Sequence, residues 1–398
     1  MNKEMDGVAI APPDADASPT VPNKKPGGLL ALAAFAGNAF ISRRSPISLV
    51  HFVTEKCNAR CAHCFIDFDN QPRREGALSL EEIQSLTKKL GANLANVYLT
   101  GGEPFLRKDM AGIVEAYACN AGVKSFNITS NGFYTERTEQ FVKDILARDI
   151  PAQVFIAFSI DDIEQAHDEN RKVPGLFEKT IATYNMVRNA GAKNIHPNIS
   201  LTVTPANCDR IEKIYRHLRD TLGIRSVTAI AMRDEGIQKI SRDNRNNIWR
   251  GYEKLTALIE SDRRGPSGGG YKKSLLGHFF NAKSLVWYPI QRKIFLRPHY
   301  VAPCRAGALF GTIKANGDVF PCEILEDRKL GNLRDYNYDF MGLWNDAAAA
   351  EARDFIIDSK CHCSFECAWA TNIVSNPKYL PALVSGTIRS ALKSGSHD

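Results

Sequence analysis

The 398 residues include 51 Lys and Arg against 44 Asp and Glu, a formal net charge of +7, and 44% are hydrophobic. That is enough chain for one large domain, or one with a small appendage, and an ordinary composition for a globular protein that buries a sizeable core. The modest positive balance permits an anionic substrate or partner without requiring nucleic acid, and no nucleic-acid partner is expected.

Residues 1–28 mix prolines, alanines and acidic residues without periodicity and read as disordered. Leu29 to Phe40 is an apolar run flanked by Lys24, Lys25, Arg43 and Arg44. It is too short to span a bilayer, which needs about 20 residues, so no transmembrane segment is expected. As a signal peptide it would have an unusually long n-region and no obvious small-residue cleavage site. It reads as a short helix that packs on the domain or touches a membrane surface, completing an N-terminal region over 1–45.

From residue 46 strand-like and helix-like segments alternate. Ser48 to Thr54 is β-rich and runs straight into Cys57-Asn58-Ala59-Arg60-Cys61-Ala62-His63-Cys64. Ser79 with Glu82 forms a capping-box pattern, and Leu80, Ile83, Leu86 and Leu90 give the helix behind it an apolar face. Strands follow at Val97–Thr100, Ser125–Thr129, Val154–Ser159, Ile199–Val203 and Val227–Met232. Between them lie helices around Ile113–Tyr117, with Phe141, Val142, Ile145 and Leu146, with Phe177, Ile181, Tyr184 and Val187, and with Ile211, Ile214, Leu218 and Leu222. Six β-α units imply an α/β fold, a parallel sheet with helices outside. They are too few to close an eight-fold barrel, so an open, partial (βα)6 TIM-like barrel fits, over 46–300. Lys239, Arg242, Arg245 and Arg250 read as a solvated helix face.

Gly311 to Phe320 reads as a hairpin turned by Asn316-Gly317, which would bring Cys304 and Cys322 together. Cys361, Cys363 and Cys367 follow closely, so 301–372 reads as a small C-terminal extension. Residues 373–398 read as a basic tail. Ten cysteines, eight of them in two groups, imply metal rather than disulfides. Such thiolates need a reducing compartment, which places the chain in the cytoplasm. Cys119 and Cys208 stand alone and are expected to be buried and inert.

Three thiolates spaced C-x3-C-x2-C can converge on one face of an iron–sulfur cube, leaving one iron without a protein ligand. The competing readings are a zinc site completed by a fourth ligand such as His63, and a disulfide framework. The latter suits small secreted chains. The spacing resembles the signature of the radical S-adenosylmethionine (radical SAM) enzymes. The resemblance implies that Cys57, Cys61 and Cys64 hold a [4Fe–4S] cluster whose open iron binds S-adenosylmethionine. Reductive cleavage then yields a 5'-deoxyadenosyl radical that abstracts hydrogen from a substrate. An external one-electron reductant of the flavodoxin or ferredoxin type is implied as partner.

Gly101-Gly102-Glu103-Pro104 follows the second strand, where glycines let backbone approach a ligand closely. Its place resembles the family's GGE motif, which holds the methionine amino group. Ser130 and Asn131 end strand three. Ser159 and Asp161 end strand four, where the family contacts the ribose. Arg171 could offer its guanidinium to the S-adenosylmethionine carboxylate. N-capping by Asp161 and a surface ion pair for Arg171 stand as plain alternatives. His63 is read as packing against the cofactor. The family's glycine-rich motif on strand five is not evident in Asn198 to Thr204. Arg233, Asp234 and Glu235 leave strand six at the same mouth, as substrate-binding groups or a solvated loop.

The second group, Cys304, Cys322, Cys361, Cys363 and Cys367, resembles a SPASM or twitch extension carrying auxiliary [4Fe–4S] clusters. Five cysteines suffice for one cluster with one to spare; a zinc knuckle is the alternative. The substrate is expected to be a small molecule or a peptide. A ribosomal-peptide maturase of the SPASM type is one alternative; a non-catalytic electron carrier or zinc-binding protein is another.

Overall fold

The computed structural model describes residues 29–66, 76–91, 93–234, 239–264 and 275–394. Residues 1–28, expected to be disordered, and Glu235 lie outside the described residues. Helix α1 (Leu29–Gly37) covers the apolar run and continues into a π-helical turn, Asn38–Ser42. Among the described residues no helix is long and apolar enough to cross a membrane.

Six strands lie side by side in chain order, all parallel: β1 (Ser48–Thr54), β2 (Asn96–Gly101), β3 (Ser125–Ser130), β4 (Gln153–Ser159), β5 (Ile195–Val203) and β6 (Val227–Ala231). Parallel neighbours require crossovers. These are α2 (Leu80–Lys88), α3 (Met110–Asn120), α4 (Thr135–Ala147), α5 (Glu164–Arg171) with α6 (Leu176–Asn189), and α7 (Ile211–Arg216). The Ser79–Glu82 capping box closes reciprocally at the start of α2, with Ser79 N–H donating to Glu82 Oε2 at 2.8 Å. All seven residues of β1 are buried, as expected for a parallel strand covered on both faces. Leu49 and Val53 pack into the core beneath the helices, while Val50 and Phe52 pack with Cys322 and Cys363. On α4 the expected apolar face holds for Phe141, Val142 and Ile145, but Leu146 is 45% exposed because it falls just beyond that stripe.

Two long helices follow, α8 (Arg242–Arg264) and α9 (Leu275–Leu296). In α8 the basic stretch is not uniformly solvated. Arg250 is exposed, but Arg245 pairs with Asp234 and donates to the Phe295 carbonyl at 3.1 Å.

The C-terminal lobe extends the same sheet. Strand β7 (Phe310–Ile313) runs parallel to β1, with Ser48 opposite Phe310 and His51 opposite Ile313. Strands β8 (Asp318–Phe320) and β9 (Gly331–Asn332) add antiparallel. The expected hairpin is present, but its loop is longer than a two-residue turn. Lys314 N–H bonds the Asp318 carbonyl at 2.8 Å, and Gly317 N–H bonds the Lys314 carbonyl at 2.9 Å. Helices α10 (Phe340–Trp344), α11 (Ala347–Asp358), α12 (Glu366–Val374) and α13 (Leu380–Ser394) complete the chain. The expected boundary at 372 falls inside α12. The expected tail is mostly the helix α13, and Leu383 and Tyr379 bury against Trp287, Ile290 and Trp369. Cys208 is buried as expected, but Cys119 is exposed, since it falls near the solvent end of α3.

Candidate active site

The carboxyl ends of β1 to β6 open on a cavity of about 460 Å³. Cys57, Cys61 and Cys64 line it together with Gly101, Gly102, Glu103, Ser130, Asn131, Ser159 and Arg171. Pairing of β1 with β2 sets Thr54 beside Gly101. Gly102 N–H then donates to the Thr54 carbonyl, and Glu103 N–H to the Lys56 carbonyl, both at 2.9 Å. A Cβ on Gly101 would lie 2.0 Å from the Thr54 carbonyl oxygen; one on Gly102 would lie 2.2 Å from that of Lys56 and 2.9 Å from Cys57 Cβ. Gly101 also has φ +132°, a region that L side chains avoid. These glycines make room for the cysteine loop itself, a reason the sequence reading did not supply.

Glu103 is buried and accepts from Asn131 N–H at 2.7 Å, Ser130 Oγ at 2.9 Å and Phe105 N–H at 3.0 Å. Burial nevertheless pushes its carboxyl up to about 7, because desolvation disfavours the charged form. Asn131 reaches across to Asn58 at 2.9 Å and so ties the β3 end to the cysteine loop as well. Pro104 opens a short 3-10 turn and is not on the cavity wall.

The far side of the cysteine loop is tied to α5. Arg60 N–H donates to the Arg171 carbonyl at 3.1 Å and Ala62 N–H to the Asn170 carbonyl at 3.0 Å. Arg171 pairs with Asp161 at 2.7 Å, and both are buried. Asp161 is therefore neither a helix N-cap nor on the cavity wall, and Arg171 is not in a surface pair. The carboxylate of Asp161 stands behind Arg171, two residues beyond the strand end. It also accepts from Asn170 at 3.1 Å, and its Oδ1 is buried with no hydrogen-bond partner. His63 lines the cavity and sits 3.6 Å from Asp161; burial holds its ring below the usual imidazole range.

The thiol environment suits a metal cluster. Burial pushes Cys57 up to about 11 and raises Cys61 and Cys64. Three crowded, desolvated thiols stay protonated until cations join them, and a thiol that coordinates metal is deprotonated outright. No carboxylate competes as a donor within the loop, and the Arg171 charge beside Cys61 and Cys64 favours their thiolates. This donor set fits an iron–sulfur cluster. Among the described residues no three His, Cys, Asp or Glu side chains converge on a single ion position.

The second cysteine set comes from four places: the loop before β7, the end of β8, the segment after α11, and α12. Cys304 and Cys322 approach closely enough to influence each other, as do Cys304 and Cys361. Cys322 and Cys363 are buried in one apolar cluster with Val50, Phe52, Phe310 and Phe365. Cys367 alone of the five lines the main cavity, where burial and then the nearby Glu323 carboxylate push its thiol up to about 12.

The sequence reading missed most of the wall facing the first cysteine loop. Tyr252 from α8, Lys283, Trp287 and Tyr288 from α9, and Glu323 and Glu366 line it beside Arg233. Arg233, expected at this mouth, donates to Glu366 at 3.1 Å and lies 3.8 Å from the Phe365 ring. Gln291 donates to the other Glu366 oxygen at 3.1 Å. A signal for α8 was present: Ile248, Tyr252, Leu255 and Ile259 recur at helical spacing and are all buried.

A thiol triad and a second cysteine set on a partial parallel barrel fit an iron–sulfur protein, and comparison gives the family. Residues 52–218 match the Radical SAM superfamily, and residues 304–368 match SPASM, an iron–sulfur cluster-binding domain. The chain belongs to the radical SAM superfamily and carries a C-terminal SPASM domain. The family's cofactors are a [4Fe–4S] cluster with S-adenosylmethionine, joined by the auxiliary iron–sulfur clusters of SPASM domains. Among curated relatives, a GTP 3',8-cyclase of Mannheimia succiniciproducens is 39% identical over 87 residues, 21% of this chain and 26% of that protein. One of Pasteurella multocida is 32% identical over 148 residues, 36% of this chain and 40% of that protein. The chain thus spans well under half the length of these relatives. Two solved structures share the fold. Native anSMEcpe with bound AdoMet has a TM-score of 0.57 at 16% identity, covering 87% of this chain and 99% of that one. Streptococcus suis SuiB bound to S-adenosylmethionine has a TM-score of 0.55 at 18% identity, covering 82% and 71%.

Proposed function

We propose that this chain cleaves S-adenosylmethionine reductively and directs the resulting radical at a substrate held in the same cavity. The observation that carries this reading is the hydrogen-bonded junction of Thr54 and Lys56 with Gly102 and Glu103, which fixes three thiols and a carboxylate on one cavity wall. Cys57, Cys61 and Cys64 would hold the cluster. When bound, the cluster and S-adenosylmethionine supply the reductive carbon–sulfur cleavage and the 5'-deoxyadenosyl radical that removes a substrate hydrogen.

The protein's own share is to bind, orient and exclude water. Backbone at Gly101 and Gly102, with Glu103 behind it, would receive the methionine amino group. Arg171, its charge kept by Asp161, would face the methionine carboxylate. Ser159 is the better candidate for the ribose, because Asp161 is committed to Arg171. Ser130 and Asn131 fix Glu103 rather than reach for ligand. Cys304, Cys322, Cys361, Cys363 and Cys367 would supply one auxiliary cluster.

The substrate enters opposite the cysteine loop, between Tyr252, Trp287 and the polar group of Arg233, Lys283, Glu323 and Glu366. A cavity of about 460 Å³ shared with S-adenosylmethionine admits a small polar molecule or a peptide side chain. Similar proteins span both kinds, a GTP 3',8-cyclase and Streptococcus suis SuiB bound to precursor peptide SuiA. The thiol-rich sites suit the cytoplasm, with a flavodoxin or ferredoxin as one-electron reductant.

The test is anaerobic incubation with dithionite and S-adenosylmethionine. The reconstituted protein is expected to release 5'-deoxyadenosine, and the Cys57→Ala, Cys61→Ala, Cys64→Ala triple variant to release none. A wild-type protein with full iron that makes no 5'-deoxyadenosine refutes the reading.

A further inference from the structure

A second concavity, of about 1120 Å³, opens beside Cys304. Its wall comes from the end of α1, the turn that follows it, the start of the C-terminal lobe and α11. Arg43, Arg44, Arg305 and Arg353 line it, and among the described residues no Asp or Glu does. Arg353 is fixed to the carbonyls of Gly307 and Trp344 at 3.1 and 3.0 Å. Arg43 and Arg305 are half-buried, and the Nε of each is buried with no hydrogen-bond partner. A crowd of guanidinium groups with no carboxylate among them is complementary to an anionic face. Ile41 and Ile357, 83% and 66% exposed, frame the same concavity, so the complementary surface mixes carboxylates with apolar side chains.

The cysteines give the concavity its meaning. Cys304 lies on its wall, whereas Cys367 lies on the wall of the main cavity. The second cysteine set therefore reaches from one opening to the other.

We propose that this arginine groove is the docking surface for the acidic face of a one-electron carrier protein, which delivers its electron to the metal centre held in part by Cys304. The inference rests on the function proposed above. One electron leaves the reduced flavin or iron–sulfur centre of the carrier, which is thereby oxidised, and the centre behind Cys304 gains it. No proton or group needs to cross. A donor seated here leaves the main cavity free for substrate.

The experiment uses the reconstituted enzyme and oxidised flavodoxin as the probe, with binding measured by calorimetry at low and high salt. The variants are Arg44→Glu, whose side chain is exposed, and the Arg43→Glu, Arg44→Glu pair. Wild type is expected to bind more weakly as salt rises. The double variant is expected to lose roughly tenfold or more in affinity at low salt. Dithionite-driven 5'-deoxyadenosine formation should be unchanged in both variants, while the flavodoxin-driven reaction falls with the affinity. Equal binding by wild type and variants overturns the proposal. So does cross-linking of flavodoxin to another face, or binding of anionic-lipid vesicles or pyrophosphate at the groove without flavodoxin. If dithionite fails to drive wild type, the proposed function is lost, and the binding arm still judges the groove.

Discussion

The two cysteine sets are built in opposite ways. Cys57, Cys61 and Cys64 sit within eight residues of one loop, and neighbouring backbone holds that loop at both ends: Gly102 and Glu103 on one side, Asn170 and Arg171 on the other. The set from Cys304 to Cys367 is gathered from four segments and depends on the packing of β7, β8, α11 and α12 around Val50, Phe52 and Phe310. The first site is local chemistry clamped by a rigid strand end; the second is a product of tertiary assembly. Perturbing the loop should therefore change chemistry with little effect on the lobe, and perturbing the lobe should change both.

The largest effect tests that asymmetry directly. Cys57→Ala is expected to abolish 5'-deoxyadenosine formation while iron falls only from about eight to about four per chain, one cube's worth. Cys304→Ala should lower iron by a similar amount and leave cleavage detectable with dithionite. Iron and sulfide analysis beside product chromatography checks both.

Next comes the buried pair behind the loop. Arg171→Ala leaves Asp161 buried without its guanidinium, a loss of about 3–5 kcal/mol. Denaturant unfolding should show it, and Arg171→Ala, Asp161→Ala together should recover part of the loss.

Acidity probes both regions at once, because burial raises Glu103 and Glu323 alike to about 7. Each carboxyl keeps its proton in the folded chain above the pH at which the unfolded chain releases it. Between about pH 4.5 and 7 the native state thus binds more protons, and stability from these groups falls as pH rises. In the cluster-free protein, Glu103→Gln and Glu323→Gln should each flatten the pH dependence of unfolding over that window.

The smallest effect belongs to the glycine junction. Gly102→Ala must push the Lys56 carbonyl and Cys57 aside, at about 1–3 kcal/mol. Lower iron occupancy of the first site, with the second unchanged, would be its mark.

What could be read from the sequence divides along the same line. All six parallel strands and the cysteine loop were legible, because hydrophobic runs and a tight C-x3-C-x2-C spacing are local signals. The role of Gly101 and Gly102 was only half legible: the motif showed, but the carbonyls they clear depend on the register of Thr54 against Gly101. Asp161 was placed at the ribose because it follows strand four, yet which side of the strand end a carboxylate occupies is settled by its partner, Arg171. The wall made by α8 and α9 was missed altogether. Lys283 and Tyr252 become neighbours of Glu323 and Cys367 only through packing between distant segments.

The seating of β7 against β1 has a consequence for the order of biosynthesis. The strand that delivers the cysteine loop has β2 on one edge and, on the other, a segment synthesised more than 250 residues later. Until that segment leaves the ribosome, β1 has an open edge exposed to other nascent chains. Completion of the sheet around the strand that delivers the cysteine loop therefore waits for the C-terminal lobe, when the late-made strand closes the early one.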